Sequence, residues 1–168
     1  LHSDLYFQCA RLLQYPEYAE TLGREISLLF PNEKITCVVG PALGGMIIAY
    51  EVARALQARG LFAERVNGKM QLRRGFELAP GDAVLVVEDV VTTGGSAQEV
   101  VELVRERARV AGVAAIVDRS STPPLWGSIP FRSLATLRAA TYEPGSCPLC
   151  RAGRPVDKPG SRRAENSV

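Results

Sequence analysis

The sequence predicts an α/β fold, with a central, mainly parallel sheet flanked by helices. Three observations carry this. Residues 35–39, 83–87 and 112–117 are short, nearly continuous β-branched and apolar runs, the pattern of strands buried on both faces. The first two run into glycines and then into a helical pattern, the strand–turn–helix unit from which parallel sheets are built. The third ends in Asp118-Arg119, a charged pair at a strand's carboxyl end, where such sheets bind ligands.

The chain has 168 residues, 46% of them hydrophobic and 23% charged, which suits one globular domain with a sizeable core. That domain is expected over residues 1–150. Residues 151–168, rich in Pro, Arg, Gly and Ser, read as a loose tail. A net charge of +2 gives no argument for a nucleic-acid partner. No apolar run reaches the length of a membrane span, because Pro41 and glycines interrupt the longest one, 37–50. Four unevenly spaced cysteines read as reduced thiols, placing the chain in the cytosol. Because it starts at Leu1 without Met, the chain is expected to be part of a longer protein.

Taken in order, residues 16–30 read as a structural helix: Pro16 suits its first turn, and Tyr18, Leu22, Ile26 and Leu29 recur at helical spacing. The strand at 35–39 is followed by Gly40-Pro-Ala42-Leu43-Gly44-Gly45 and a helix over 46–59. A glycine loop of this kind offers backbone donors to an anion. Residues 61–64 form a short strand, and Asn67-Gly68 is a strong hairpin signal, with a return limb within 71–77. A helix is expected over 98–110, with Val100, Val101, Val104 and Ala108 inward. Residues 120–130 are a loop and 131–137 a last strand. Cys147 and Cys150 form one Cys-x-x-Cys. A single pair supplies two of the four ligands that structural zinc usually takes, and His2, Cys9 and Cys37 are far away in sequence, so a dedicated metal site is not expected.

The most informative stretch is 83–100. After its strand come two carboxylates, Glu88 and Asp89, then Val90-Val91-Thr92-Thr93-Gly94-Gly95-Ser96 and a helix. A helix N-terminus carries unpaired amides and partial positive charge, glycines allow close approach, and hydroxyls add donors. Together they make a seat for a phosphate monoester. Carboxylates beside such a seat would repel phosphate, whereas the vicinal hydroxyls of a sugar suit them. The stretch therefore points to a phosphorylated ribose.

The eleven residues Val86 to Ser96 closely resemble the phosphoribosyl pyrophosphate (PRPP) motif of type I phosphoribosyltransferases, in the form found in the orotate enzymes. The resemblance implies a Rossmann-like fold with a flexible hood hairpin. It implies that Glu88 and Asp89 hold the ribose diol near developing positive charge, and that Val90, Val91, Thr92, Thr93, Gly94, Gly95 and Ser96 bind the rest of PRPP. By the same resemblance Ala42, Leu43, Gly44 and Gly45 become a pyrophosphate loop. Arg65 and Lys69 become candidate catalytic cations of the hood, although the commoner hood is longer and carries a histidine. Arg73 and Arg74 read as solvated. Ser3, Tyr6 and Phe7 look like the second half of the segment that packs over the base. Arg119 would grip a base carboxylate, with Thr92 near the base. Mg²⁺ would arrive with the substrate phosphates, and a hood shared between sites implies a homodimer. The implied substrates are PRPP and orotate. A purine or uracil phosphoribosyltransferase, a PRPP-binding regulator without turnover, and a purely structural Rossmann-like module are the alternatives.

Overall fold

The computed structural model describes residues 2–120 and 126–157. Positions 121–125 of the predicted loop, and the tail from residue 158, lie outside the described residues. The chain forms two compact units: Gln8–Arg138, and a smaller one built from the two ends, Leu1–Phe7 with Ala139–Val168.

The larger unit holds one six-stranded sheet in the order β3-β2-β1-β4-β5-β6. Its strands are β1 Cys37–Pro41, β2 Arg59–Val66, β3 Lys69–Leu72, β4 Ala83–Val91, β5 Arg109–Asp118 and β6 Phe131–Thr136. All neighbouring pairs run parallel except β2 and β3, which form the hairpin signalled by Asn67-Gly68. Asn67 and Gly68 both take positive φ (+49° and +80°), the two-residue turn that suits twisted strands. Among its described residues four helices accompany the sheet: α1 Ala10–Leu13, α2 Pro16–Ser27, α3 Gly44–Leu56 and α4 Gly95–Arg105.

The central strands alternate side chains between two cores. Val38, Leu85, Val87 and Ala114 pack with Ile26, Ile48 and Val52 of α2 and α3. Val39, Val84, Val86 and Val113 pack on the other face with Val100, Val101 and Val104 of α4. Burial on both faces is why these strands read as unbroken apolar runs. Several boundaries differ from expectation. Strand β4 continues to Val91, four residues beyond 87, and α4 starts at Gly95 rather than 98 and stops at Arg105, because Arg109 and Val110 already belong to β5. The return limb of the hairpin begins at Lys69, two residues early.

In the smaller unit, His2 and Tyr142 form an antiparallel bridge with both N···O distances at 2.8 Å. A 3₁₀ turn, Pro144–Ser146, leads into the one-turn helix α5, Pro148–Arg151. Among the described residues of this unit only Cys147 is buried.

Candidate active site

From β1 the chain winds outward through α3 to β2; from β4 it winds the opposite way through α4 to β5. The sheet therefore has its topological switch point between β1 and β4, and the crevice beyond their carboxyl ends is where open α/β sheets take ligands. Two loops rim it, and they are the two glycine loops singled out by sequence.

The loop after β1 contains a cis Ala42–Leu43 peptide and enters α3. No side chain caps α3, and its first turn carries no acidic residue. The same is true of α4, whose N-cap is Gly94 at φ +76°. Each helix thus presents its amide end and the positive pole of its dipole to the crevice. Thr92, Thr93 and Gly95 are exposed at the second loop, and Ser96 is half-buried.

The acidic pair joins the two loops. A Cβ added at Gly44 would lie 2.8 Å from Asp89 Oδ1, and one at Gly45 would lie 2.8 Å from the Val87 carbonyl and 3.2 Å from Glu88 Oε1. Only glycines let the first loop come this close. Asp89 Oδ1 accepts a hydrogen bond from the Val90 amide at 2.8 Å, and Glu88 Oε1 accepts one from the Asp89 amide at 3.2 Å. Asp89 is half-buried, whereas Glu88 is only 8% exposed. The pair lies inside β4 rather than past its end, so the strand itself fixes its orientation.

Arg119 follows β5 directly. Its amide donates to the Val91 carbonyl at 2.8 Å, which sets it beside the end of the acidic strand. Its neighbour Asp118 accepts from the Ser120 amide and hydroxyl at 2.8 and 2.6 Å and so fixes the turn. Of the two hood cations, Arg65 grips Glu99 of α4 bidentately, at 2.7 and 2.8 Å, and donates to the Gly68 carbonyl at 2.7 Å. Lys69, at the head of β3, is exposed. Arg73 and Arg74 are more than half exposed and lie against Glu64 at 3.8 and 3.1 Å, in keeping with a solvated role. Tyr6, half-exposed, and Phe7, partly buried, belong to the smaller unit.

Two features escaped the sequence reading. Cys9 is buried near the acidic pair: burial, with Asp89 and Glu88 adding to it, pushes its thiol up to about 11. Nothing in the local pattern marks it, since the four-residue α1 is too short to show a period. The second is Glu99, whose grip on Arg65 ties the hairpin to α4.

Residues 16–137 match the phosphoribosyl transferase domain family. The chain belongs to that family. Relatives named orotate phosphoribosyltransferase include that of Caldanaerobacter subterraneus subsp. tengcongensis, 55% identical over 163 residues, which are 96% of this chain and 85% of the relative. That of Thermotoga maritima is 54% identical over 162 residues, 96% of this chain and 86% of its own length. At this identity the chain groups with the orotate phosphoribosyltransferases, as an enzyme of the phosphoribosyl-transfer type.

Among solved structures, the Mycobacterium tuberculosis orotate phosphoribosyltransferase in complex with inorganic phosphate superposes with a TM-score of 0.65 at 27% identity, covering 82% of this chain and 80% of that one. An adenine phosphoribosyltransferase from Thermoanaerobacter pseudethanolicus reaches a TM-score of 0.70 at 12% identity over 79% of this chain and 88% of that one, a likeness of fold alone. Among the described residues no helix is long and apolar enough to cross a membrane.

Proposed function

We propose that this chain transfers the phosphoribosyl group of PRPP to a ring nitrogen of orotate, giving orotidine 5′-phosphate and pyrophosphate for pyrimidine nucleotide synthesis. The ribose C1′–oxygen bond to pyrophosphate breaks, a C1′–nitrogen bond forms, and the proton lost from the ring nitrogen leaves with the pyrophosphate. Charge builds in two places, positive on the ribose and negative on the departing pyrophosphate. One observation carries the reading: the near-contact of Gly44 with Asp89 makes the two anion-seeking loops and the carboxylates a single crevice.

These roles come from the family resemblance, and that geometry supports those of the two loops and the acidic pair. The α4 amides with Thr92, Thr93 and Ser96 seat the 5′-phosphate, and Val90 and Val91 form the adjoining wall. Asp89, with Glu88 behind it, accepts hydrogen bonds from the ribose diol and faces the developing positive charge. Ala42, Leu43, Gly44 and Gly45 present the α3 amide end to the pyrophosphate. Lys69 supplies the mobile cation. Arg65 braces the hairpin through Glu99 and acts through position rather than contact, a narrower role than sequence alone assigned it. Arg119 reads the orotate carboxylate, which a guanidinium matches bidentately, with Thr92 beside the base. Catalysis is positioning and electrostatics, with no covalent intermediate.

The carboxylate oxygens of Asp89 and Glu88 are hard donors of the type Mg²⁺ takes. Bound with the substrate, Mg²⁺ would offset charge on the diphosphate. We further propose a cytosolic homodimer. Four free cysteines suit a reducing compartment. An apolar depression of ≈ 320 Å³, lined by Met46, Ile47, Tyr50, Phe62 and Phe76, offers a surface for a second copy. Ile47 and Tyr50 there are 46% and 64% exposed.

The test is incubation with PRPP, Mg²⁺ and each base separately, scored by pyrophosphate release. Release with orotate alone is expected. Release with guanine, adenine or uracil instead would make the chain a salvage enzyme, and PRPP binding without release would make it a regulator.

A further inference from the structure

The smaller unit gathers three soft ligands that the reaction does not use. His2, Cys147 and Cys150 offer ring nitrogen and sulfur atoms that all lie within 4.8 Å of one another. His2 Nδ1 is 3.1 Å from Cys150 Sγ, across 148 positions of sequence. Sequence separation was the reason to discount His2 as a ligand. The bridge between His2 and Tyr142 overturns it, because it returns the N-terminal limb to the Cys-x-x-Cys turn.

We propose that His2, Cys147 and Cys150 bind one zinc ion that clasps the N-terminal limb of the chain to its C-terminal segment, with solvent as the fourth ligand.

Four physical points support the site. First, the donor set is right: one imidazole and two sulfurs suit Zn²⁺, and they exclude Mg²⁺ and Ca²⁺, which prefer oxygen. Second, the spacing is right. A tetrahedral ion with Zn–S about 2.3 Å and Zn–N about 2.0 Å needs ligand atoms roughly 3.5–3.8 Å apart, so the His2–Cys150 pair opens by only about half an ångström.

Third, one short turn carries both sulfurs: Cys147 immediately precedes the one-turn α5, Cys150 lies within it, and the Arg151 amide closes the turn on the Cys147 carbonyl at 3.2 Å. Fourth, the unit lacks other means of support. Among its described residues the sole buried side chain is Cys147, at 1% exposure, so packing does not hold the limbs together. A metal clip that closes a loop of this length removes much freedom from the unfolded chain, and small units without a core commonly rely on one. The limb it would anchor carries Ser3, Tyr6 and Phe7. The inference is independent of the transfer reaction, since its readout is metal content.

The experiment is zinc analysis of the full chain, purified in reducing buffer and passed through metal-free gel filtration, followed by replacement with Co²⁺. One zinc per chain is expected. The Co²⁺ form is expected to show thiolate-to-metal charge transfer and the intense visible bands of a tetrahedral ion. Cys150→Ser and His2→Ala should each lower zinc affinity at least about tenfold, while Cys37→Ser should retain the metal. The Co²⁺ spectrum of the unaltered chain keeps the test valid even where a variant misfolds. Absence of zinc together with absence of a Co²⁺ spectrum would overturn the proposal. So would metal that survives the loss of Cys147 and Cys150 together.

Discussion

In the proposed reaction the chemistry turns on Asp89. It lies against Gly44, between the two glycine loops, and its carboxylate is already oriented by the Val90 amide. Asp89→Asn keeps the size and that hydrogen bond but loses the charge facing the ribose. It should lower kcat by about 10²–10³, the cost of removing one preorganised electrostatic group, while thermal unfolding stays unchanged; steady-state rates and a melting curve check both. At Arg119 the split should differ. Arg119→Ala should raise KM for orotate by about 10–100-fold, the worth of a charged hydrogen-bonded pair, and leave KM for PRPP nearly unchanged; separate titrations of the two substrates decide it. At this scale the sequence was most legible where chemistry is local. Glu88, Asp89, the Thr-Thr-Gly-Gly turn and Arg119 all fall at the carboxyl ends of adjacent strands. Less legible was what a side chain does with its neighbours. Arg65 reads as a free cation, but its partner Glu99 is 34 positions away.

At the scale of elements, two close packings set the frame. A Cβ on Gly23 of α2 would meet the backbone carbonyl carbon of Glu51 in α3 at 2.7 Å. Alanine normally gains about 1 kcal/mol over glycine in a helix, yet here it forces the helices apart at a cost of about 1–3 kcal/mol. Gly23→Ala should therefore destabilise the fold in urea unfolding, against its helix propensity.

The second is Asp82, which ties the starts of β1, β2 and β4. It accepts from the Ala79 amide at 2.8 Å, the Thr36 hydroxyl at 2.9 Å and Arg59 at 2.5 Å. The Ala79 amide, with Thr36 and Arg59, outweighs burial and holds the carboxyl below its ordinary value. A carboxyl depressed by folding stabilises the protein above its unfolded pKa of about 3.9, and this is lost as pH falls through the folded value. Asp82→Asn should thus cost about 1–3 kcal/mol at neutral pH, and the gap to the parent should close progressively below about pH 4. Denaturant unfolding at several pH values measures it.

Strand cores were readable because burial on both faces leaves an unbroken apolar run, whereas boundaries were not. Gly95 and Ser96 look like loop by composition, yet a helix start tolerates both, so α4 begins three residues early. Similarly, Val90 and Val91 continue β4 past two charged residues, because pairing with β5 holds the strand to its end.

The whole molecule shows what sequence order hides. The mainly parallel sheet was legible in the sequence, but the strand order that sets the switch point between β1 and β4 was not, because it depends on long-range pairing. The assembly of both chain ends into one unit was not, because it depends on a two-residue bridge between His2 and Tyr142 with no local signature. In the proposed function the crevice at the switch point holds a phosphorylated pentose between an acidic pair and two helix amide ends. A crystal structure of the chain with orotidine 5′-phosphate tests this. The 5′-phosphate is expected on the amides of Gly94, Gly95 and Ser96, the ribose hydroxyls against Asp89, and the base carboxylate on Arg119. A nucleotide bound elsewhere, with no phosphate at the start of α4, would contradict it.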